Sequence, residues 1–242
     1  MFDEHYDQAN EGFKLDSTLV GFEETDIRGR PFRLLRTVLS RRLKDTDARV
    51  IGVTSASPNV GKSFVASNLA AAMSQLSSIR TVLLDLDLQR PTLADLFGIH
   101  GGAGVGEYLA GEEHDIMKCT REILDTGLIV APTFERVTRS AELLASARFG
   151  ELITQLKGVD YRPWLICDLP PLFVSDDAML ATEQLDGVIL IVEEGVTTRK
   201  QLESCLQLLS PVPVFGTILN RCSEGILAPY GYDGGYGGYG AY

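Results

Sequence analysis

Short apolar segments alternate with segments of helical spacing along most of this chain, and this alternation most constrains its fold. The apolar segments, rich in β-branched residues, are RVIGVTS (49–55), TVLLDLD (81–87), GLIVAP (127–132), WLICDL (164–169), GVILIVE (187–193) and VPVFGTILN (212–220). The segments with helical spacing are KSFVASNLAAAMSQL, SAELLASARFGELITQL, DDAMLATEQL and TRKQLESCLQLL. Strands that are apolar on both faces need cover on both sides, and helices between successive strands provide it. The sequence therefore predicts an α/β fold with a doubly wound, mostly parallel sheet and helices on both faces.

Composition and charge narrow the classes of function. With 242 residues and 45% hydrophobic content the chain can bury one large core. No apolar run reaches the ~18 to 20 residues that cross a bilayer, and the polar N-terminus does not resemble a secretory signal. The four cysteines have no CxxC spacing, and the net charge of −11 argues against a broad nucleic-acid-binding face. We expect a cytoplasmic protein with free thiols and no nucleic-acid partner.

The chain is expected to have three regions. These are an acidic N-terminal arm (1–28), a single α/β domain (29–223) and a tail (224–242). Five of the eight tyrosines lie in the tail and are spaced mainly by glycine: Tyr230, Tyr232, Tyr236, Tyr239 and Tyr242. Glycine-rich chain without apolar periodicity cannot offset the entropy of ordering, so we expect the tail to be disordered. It is either a low-complexity segment without specific chemistry or a set of phenols presented to an enzyme.

The first helix of the domain is expected to begin near Pro31. In PFRLLRTVLSRRL, the residues Phe32, Leu35, Leu39 and Leu43 share one stripe, while the arginines lie mostly elsewhere. This pattern predicts an amphipathic helix whose apolar face packs on the domain.

A glycine-lysine-serine triplet, Gly61-Lys62-Ser63, follows the first predicted strand and opens the next predicted helix. A phosphate-binding loop requires this context, because backbone amides at a helix N-terminus can point at phosphate oxygens. Lys62 would reach the β- and γ-phosphates, and the Ser63 hydroxyl would ligate Mg²⁺. Ala56 stands where the usual motif begins with glycine. The residues expected to bind nucleotide here are Ser57, Pro58, Asn59, Val60, Gly61, Lys62, Ser63 and Phe64.

Three carboxylates end predicted strands. Asp85 and Asp87 end the second strand with a spacing that points them the same way, and Asp168 ends WLICDL. Each could merely cap the following helix. Together, at the carboxyl edge where open α/β sheets bind ligands, they predict a Mg–nucleotide site.

At these motifs the chain resembles the bacterial tyrosine autokinases of capsule and exopolysaccharide synthesis, the BY-kinases. The resemblance covers roughly residues 30 to 242 and rests on SASPNVGKS, VLLDLDLQRP and LICDLPP. Further similar segments are GVGEYLAG (104–111), SAELL (140–144), SDDAML (175–180), GTILN (216–220) and the tyrosine-rich end. The resemblance implies a P-loop kinase domain that transfers phosphate from ATP, with Mg²⁺, to tyrosine.

The resemblance also implies roles for individual residues. Lys62, Asp85 and Asp87 would be catalytic, with Asp85 taking or orienting the phenolic proton. Asn220 would read the adenine edge, although it could equally be a strand-terminating turn residue. The metal ligands would be Ser63, Asp87 and Asp168, directly or through water. The five tail tyrosines named above would be the phosphorylation sites, offered to a neighbouring subunit.

Assembly and partners are implied in the same way. Arg33 and Arg36 match the family's Glu-x-x-Arg-x-x-Arg motif, which is thought to pair subunits in a ring, while Arg30 occupies the glutamate position. Val60 and Gln89 depart from an acidic residue and an arginine that are common in the family. The expected partners are a second copy of the chain and a transmembrane activator of the polysaccharide co-polymerase type. Because the sequence starts at Met1 without a membrane span, we expect the activator to be a separate chain, or this chain to be an excised kinase domain. The activator would hold the protein at the inner membrane face.

Two other functions remain open on sequence. A partition or cell-division-positioning ATPase would share the fold, but usually carries a lysine at the position of Ser57 and needs no tyrosine tail. A nucleotide-dependent switch or adaptor would bind ATP without kinase activity. All three bind Mg–ATP, so only phosphotyrosine on the tail distinguishes the kinase.

Overall fold

The computed structural model describes residues 15–76, 80–123, 126–158 and 162–222. The expected phosphorylation sites in the tail and the first part of the acidic arm lie outside these ranges.

The described strands form one sheet of seven in the order β3-β4-β2-β5-β1-β6-β7. Their bounds are β1 Val50–Ser55, β2 Thr81–Asp85, β3 Arg121–Ile123, β4 Leu128–Ala131, β5 Trp164–Asp168, β6 Gly187–Glu193 and β7 Val214–Asn220. All neighbours pair in parallel except β3, which runs antiparallel to β4 at the edge. The prediction of a mostly parallel sheet is confirmed.

Helices cover both faces of the sheet. They are α1 Arg30–Arg42, α2 Lys62–Ser74, α3 Leu93–Phe97, α4 Val105–Ala110, α5 Ser140–Leu144, α6 Ala147–Lys157, α7 Asp177–Thr182 and α8 Arg199–Leu209. Side chains of α1, α2 and α3 pack into one apolar cluster, and those of α4 to α8 pack into another. In the central strand β2, Val82 and Leu84 face the second cluster while Leu83 faces the first. The doubly wound arrangement is therefore confirmed, with alternate strand residues buried on opposite faces.

Three details differ from the sequence-based expectation. Strand β3 is not predicted, because it has only three residues and no apolar run. Helices α3 and α4 are one or two turns long, too short to give a helical period. The segment 140–156, expected as one helix, is divided into α5 and α6 because Ser146 is extended, at φ −79° and ψ 154°.

The described part of the N-terminal arm packs on the domain rather than extending loosely from it. Leu19 and Val20 are buried in the same cluster as α2. The Gly21 amide donates to Asn68 Oδ1 at 2.8 Å, and a Cβ at Gly21 would lie 2.3 Å from the Asn68 carbonyl oxygen. Glycine is required there for this close approach.

Helix α1 buries the predicted stripe, with Phe32, Leu39 and Leu43 all less than a tenth exposed. The two arginines expected at a subunit interface bind carbonyls of their own chain. Arg33 Nη1 donates to the Glu23 oxygen at 2.8 Å, and Arg36 Nη1 donates to the Ala72 oxygen at 2.8 Å. Among the helices within the described ranges, none is long and apolar enough to span a bilayer.

Candidate nucleotide and magnesium site

The predicted nucleotide-binding loop, the second motif and the third motif meet at the carboxyl edge of the sheet. They follow β1, β2 and β5, which are neighbours in the order β2-β5-β1. A cavity of about 590 Å³ opens there, lined by Lys62, Ser63 and Asp87 among others. Its size lies in the range of small-molecule sites, which runs from roughly 300 to 1,000 Å³.

The loop between β1 and α2 turns sharply at two positions. Asn59 has φ 62° and Gly61 has φ 92°, both in the left-handed region that asparagine tolerates and glycine favours. Ala56, at the position of the usual first glycine, has no positive φ and is buried, so alanine fits without strain. Val60, 1% exposed, anchors the loop in the core.

The N-terminus of α2 is free to bind an anion. Gly61 is its N-cap and makes no side-chain capping hydrogen bond. The first amides of the helix therefore point to the cavity without a side-chain acceptor. Phosphate oxygens are the ligand that such amides bind best.

Lys62 lies inside this cavity and forms one ion pair within the described ranges. Its Nζ is 3.8 Å from Asp87 Oδ2, and both side chains are less than a tenth exposed. Burial raises the pKa of the Asp87 carboxyl, and the Lys62 ammonium opposes this effect. The pair therefore provides one cation and one carboxylate side by side.

Asp168 is completely buried, and neither of its carboxylate oxygens accepts a hydrogen bond of normal geometry from a described residue. Burial raises its pKa to about 7, while nearby Lys62 and the Ser63 hydroxyl lower it. A buried carboxylate without partners is costly unless something compensates it. A Mg²⁺ ion with its waters would do so, and the hydroxyl of Ser63 and the carboxylate of Asp87 are the hard oxygen ligands that Mg²⁺ prefers. The residues present thus fit the predicted metal, which keeps several waters and needs few protein ligands. No group of three or more His, Cys, Asp or Glu side chains that could hold a metal ion is found in the described ranges.

Asp85 lies beside Asp168 in the paired strands β2 and β5. Its Oδ2 accepts hydrogen bonds from the amides of Thr92 and Leu93, both at 3.0 Å, where α3 begins. It is 0% exposed, and burial together with the Asp168 charge raises its pKa well above the ordinary value. In this conformation Asp85 therefore caps the next helix and does not line the cavity.

Asn220, expected to read adenine, contacts the loop in this structure. Its Nδ2 donates to the Val60 carbonyl at 2.8 Å, and a Cβ at Gly61 would lie 2.3 Å from the same nitrogen. The side chain thus fixes the loop from the end of β7 and is not among the residues that line the cavity.

Gln89 connects the second motif to two other family segments. Its Nε2 donates to Ser140 Oγ and to Asp177 Oδ2, both at 3.1 Å. Ser140 and Asp177 are the first residues of α5 and α7. SAELL and SDDAML therefore serve to hold the loop that carries Asp87.

Several lining residues were not predicted from sequence. They are Gln89, Arg90, Thr92, Arg136, Pro170, Pro171, Val174, Ser175 and Arg221. Most follow strands at the carboxyl edge, and that position is the signal by which they could have been found.

Comparison with known proteins identifies the family. The family described as "ParA: NUBPL iron-transfer P-loop NTPase" matches residues 47–205. The tyrosine-protein kinase CpsD of Streptococcus agalactiae is 30% identical over 204 residues, which are 83% of this chain and 84% of CpsD. The chain is a P-loop NTPase of the bacterial tyrosine-protein kinase family.

Two further members support this assignment. The kinase domain of the Escherichia coli tyrosine kinase Etk has a TM-score of 0.79 and 28% identity, covering 92% of this chain and 88% of that domain. The tyrosine-protein kinase Wzc of Salmonella typhimurium is 29% identical over 210 residues, which are 86% of this chain and 29% of Wzc. The chain thus spans less than a third of the length of Wzc.

Proposed function

We propose that the chain transfers the γ-phosphoryl group of ATP to tyrosine hydroxyls, and that the acceptors are tail tyrosines of a second copy. The observation that carries the nucleotide part is the buried Asp168 carboxylate, which lies beside Lys62 and Ser63 at the uncapped N-terminus of α2 and lacks a hydrogen bond of normal geometry from a described residue. Membership of the tyrosine-protein kinase family supports tyrosine as the acceptor.

Some groups of the cavity would bind the phosphates, and others would neutralise their charge. The amides of the loop and of the first turn of α2 would hold the phosphates. Lys62 would neutralise charge on the transferred group, while Ser63, Asp87 and Asp168 would hold Mg²⁺ directly or through water. Bound Mg²⁺ would supply further positive charge at the phosphate oxygens.

The transfer forms a bond between the tyrosine oxygen and the γ-phosphorus. The bond from that phosphorus to the β-phosphate oxygen breaks, and ADP leaves with the electron pair. A phenol has a pKa near ~10, so its proton needs an acceptor. We assign this acceptor role to Asp85, whose raised pKa suits a base and which must release the amides of Thr92 and Leu93 to reach the phenol.

The partners belong to the proposal as well. We assign the protein to exopolysaccharide or capsule synthesis, as a homo-oligomer at the inner membrane face with a transmembrane activator of the polysaccharide co-polymerase type. Arg33 and Arg36 would contact the neighbouring subunit. On forming that contact, each arginine would either keep its present carbonyl partner in its own chain or exchange it for a group on the neighbouring subunit.

Mixing two variants tests transfer between copies. One has phenylalanine at all five tail tyrosines and an intact site; the other is Lys62→Met with an intact tail. We expect phosphotyrosine on the Lys62→Met copy only when Mg–ATP and the first variant are both present. Absence of phosphotyrosine, with ATP binding demonstrated by equilibrium titration, would contradict the proposal.

A nucleotide-dependent switch without phosphoryl transfer is the second candidate. The complete burial of Asp85 favours it, because a base that stays buried cannot meet an acceptor. The mixing experiment distinguishes the two, since a switch binds ATP and leaves the tail of the Lys62→Met copy unmodified.

A further inference from the structure

The loop that follows β4 is fixed to the second nucleotide motif. The Val137 amide donates to the Leu88 carbonyl at 2.8 Å, and Thr133 Oγ1 donates to the Asp85 carbonyl at 3.0 Å. Arg136 lies in this loop between the two contacts. Its backbone is therefore held beside Asp87, although it belongs to a different part of the sequence.

The side chain of Arg136 is exposed and has no hydrogen bond or ion pair inside the described ranges. Two other arginines that line these cavities are paired. Arg139 forms an ion pair with Glu142, and Arg221, at the other end of the cavity, pairs with Glu193 at 3.1 Å. The guanidinium of Arg136 is thus available to an incoming anion or hydroxyl.

Arg136 also lines two cavities at once. The first is the nucleotide cavity; the second, of about 630 Å³, lies between α4, the loop and α5. We call the second cavity the α4–α5 groove; its charged lining residues are Glu107, Glu112, Glu135, Arg136, Arg139 and Glu142.

The strand order shows on which side of the nucleotide cavity the α4–α5 groove lies. Along the carboxyl edge, Arg221 follows β7, the phosphate loop follows β1, Asp87 follows β2 and Arg136 follows β4. The phosphate-binding groups therefore lie between Arg221 and Arg136. If the nucleoside extends toward β7, the β4 side stays open. The acceptor can then enter from that side, through the α4–α5 groove.

The groove is acidic, with four glutamates and two arginines, one of which is paired. Such a lining favours a neutral or basic segment and disfavours an acidic one. The tail sequence from Gly234 to Tyr242 has no acidic side chain. Phosphorylation adds ~1.5 to 2 negative charges per tyrosine, so the modified product would be repelled.

We infer that the α4–α5 groove binds the acceptor segment, a neutral glycine-spaced tyrosine peptide from a second copy, and that Arg136 contacts the γ-phosphoryl group at the boundary between the two cavities. This inference rests on the proposed kinase function and adds to it the acceptor site and a further catalytic residue. It also gives the enzyme a preference for acceptors without acidic flanks.

Peptide kinetics test the role of Arg136. The acceptor is a synthetic peptide with the sequence of residues 234–242, assayed with Mg–ATP at low salt. We expect Arg136→Gln to lower kcat about 100-fold, as loss of one donor to developing charge does, with ATP affinity changed less than about threefold. Arg199→Gln is the matched control, because Arg199 is exposed, is already paired with Glu203 on α8 and lines neither cavity; its kcat should stay within about threefold of wild type.

A second comparison tests the groove. The wild-type enzyme should use the neutral peptide about three to ten times better, by kcat/KM, than a version with glutamate beside each tyrosine. The double variant Glu112→Gln, Glu135→Gln should lose most of this preference, since neither glutamate side chain has a hydrogen bond or ion pair within the described chain. A peptide with p-benzoylphenylalanine in place of Tyr239 should cross-link to residues 106–112 or 135–143, independently of turnover.

The outcomes separate this inference from the kinase proposal. If wild type phosphorylates the peptide and Arg136→Gln does so equally well, or if cross-links lie elsewhere, the inference is overturned and the kinase function stands. If wild type phosphorylates neither peptide nor tail, both are overturned.

Discussion

Replacing Asp168 by asparagine should change how the stability of the ligand-free protein depends on pH. The substitution keeps the shape of the side chain and removes a charge that is completely buried, with both oxygens lacking hydrogen-bond partners of normal geometry among the described residues. In wild type, burial raises the pKa of this carboxyl from 3.8 to about 7. The folded state therefore holds the proton at pH values where the unfolded state has released it.

The sign and size follow from this difference in pKa. Because the folded pKa is the higher one, stability is lost as the pH rises from about 4 to about 7, and the full cost is present above pH 7. At 1.36 kcal/mol per pKa unit, the shift from 3.8 to about 7 lowers the free energy of unfolding at high pH by about 4 kcal/mol. Of this, about 3 kcal/mol accumulates between pH 5 and pH 8. Asp168→Asn should thus gain about 3 kcal/mol relative to wild type over that interval.

Urea unfolding at pH 5, 6, 7 and 8, without nucleotide or Mg²⁺, measures this gain. Asp45→Asn, at an exposed position, is the control and should follow the wild-type curve. Adding Mg–ATP should narrow the difference between wild type and variant at pH 8, since ligand at 100 times Kd stabilises wild type by ~2.7 kcal/mol and the variant by less. Parallel pH curves for wild type and Asp168→Asn would refute the reasoning.

Three further substitutions test the packing around the loop and the core. Gly61→Ala should destabilise the fold by about 2 kcal/mol and abolish ATP binding, because alanine at φ 92° is strained and its Cβ meets the Asn220 amide; unchanged ATP affinity by titration would contradict this. Asn220→Ala should cost about 1 kcal/mol through the lost hydrogen bond to Val60 and weaken ATP binding; if nucleotide affinity alone falls, with no change in urea midpoint, Asn220 contacts the nucleotide rather than the loop. Leu39→Ala in the core should cost about 3 kcal/mol by urea unfolding, whereas Leu34→Ala, at a 65% exposed position of the same helix, should cost less than about 0.5 kcal/mol; similar costs would show that α1 is not packed as described.

The parallel sheet could be predicted because strands buried on both faces leave a strong sequence signal. The strands formed by RVIGVTS and WLICDL are buried at every position and lie side by side in the middle of the sheet. Strand β3 could not be predicted, because it is held by its antiparallel pairing with β4 and not by its own composition. Tertiary contacts decide such short edge elements.

The site residues could be predicted where each lies in a short sequence motif that shows its chemistry. Lys62, Ser63, Asp87 and Asp168 were expected at one site, and the structure brings them together. For Asp85 the sequence left capping of the next helix open beside a catalytic role, and in the structure Asp85 accepts hydrogen bonds from the amides of Thr92 and Leu93. The sequence could not decide between the two, because α3 is too short to give a helical period. Arg136 was missed because tertiary hydrogen bonds, from Val137 to Leu88 and from Thr133 to Asp85, bring its loop to the second motif.

Phosphopeptide mass spectrometry of residues 224–242 tests the central claim most directly. Wild type and Lys62→Met are incubated identically with Mg–ATP, and ATP binding is measured for both. The account predicts phosphate on tail tyrosines of wild type and none in the variant. An unmodified wild-type tail despite bound ATP, or equal phosphorylation of the Lys62→Met tail, would contradict it.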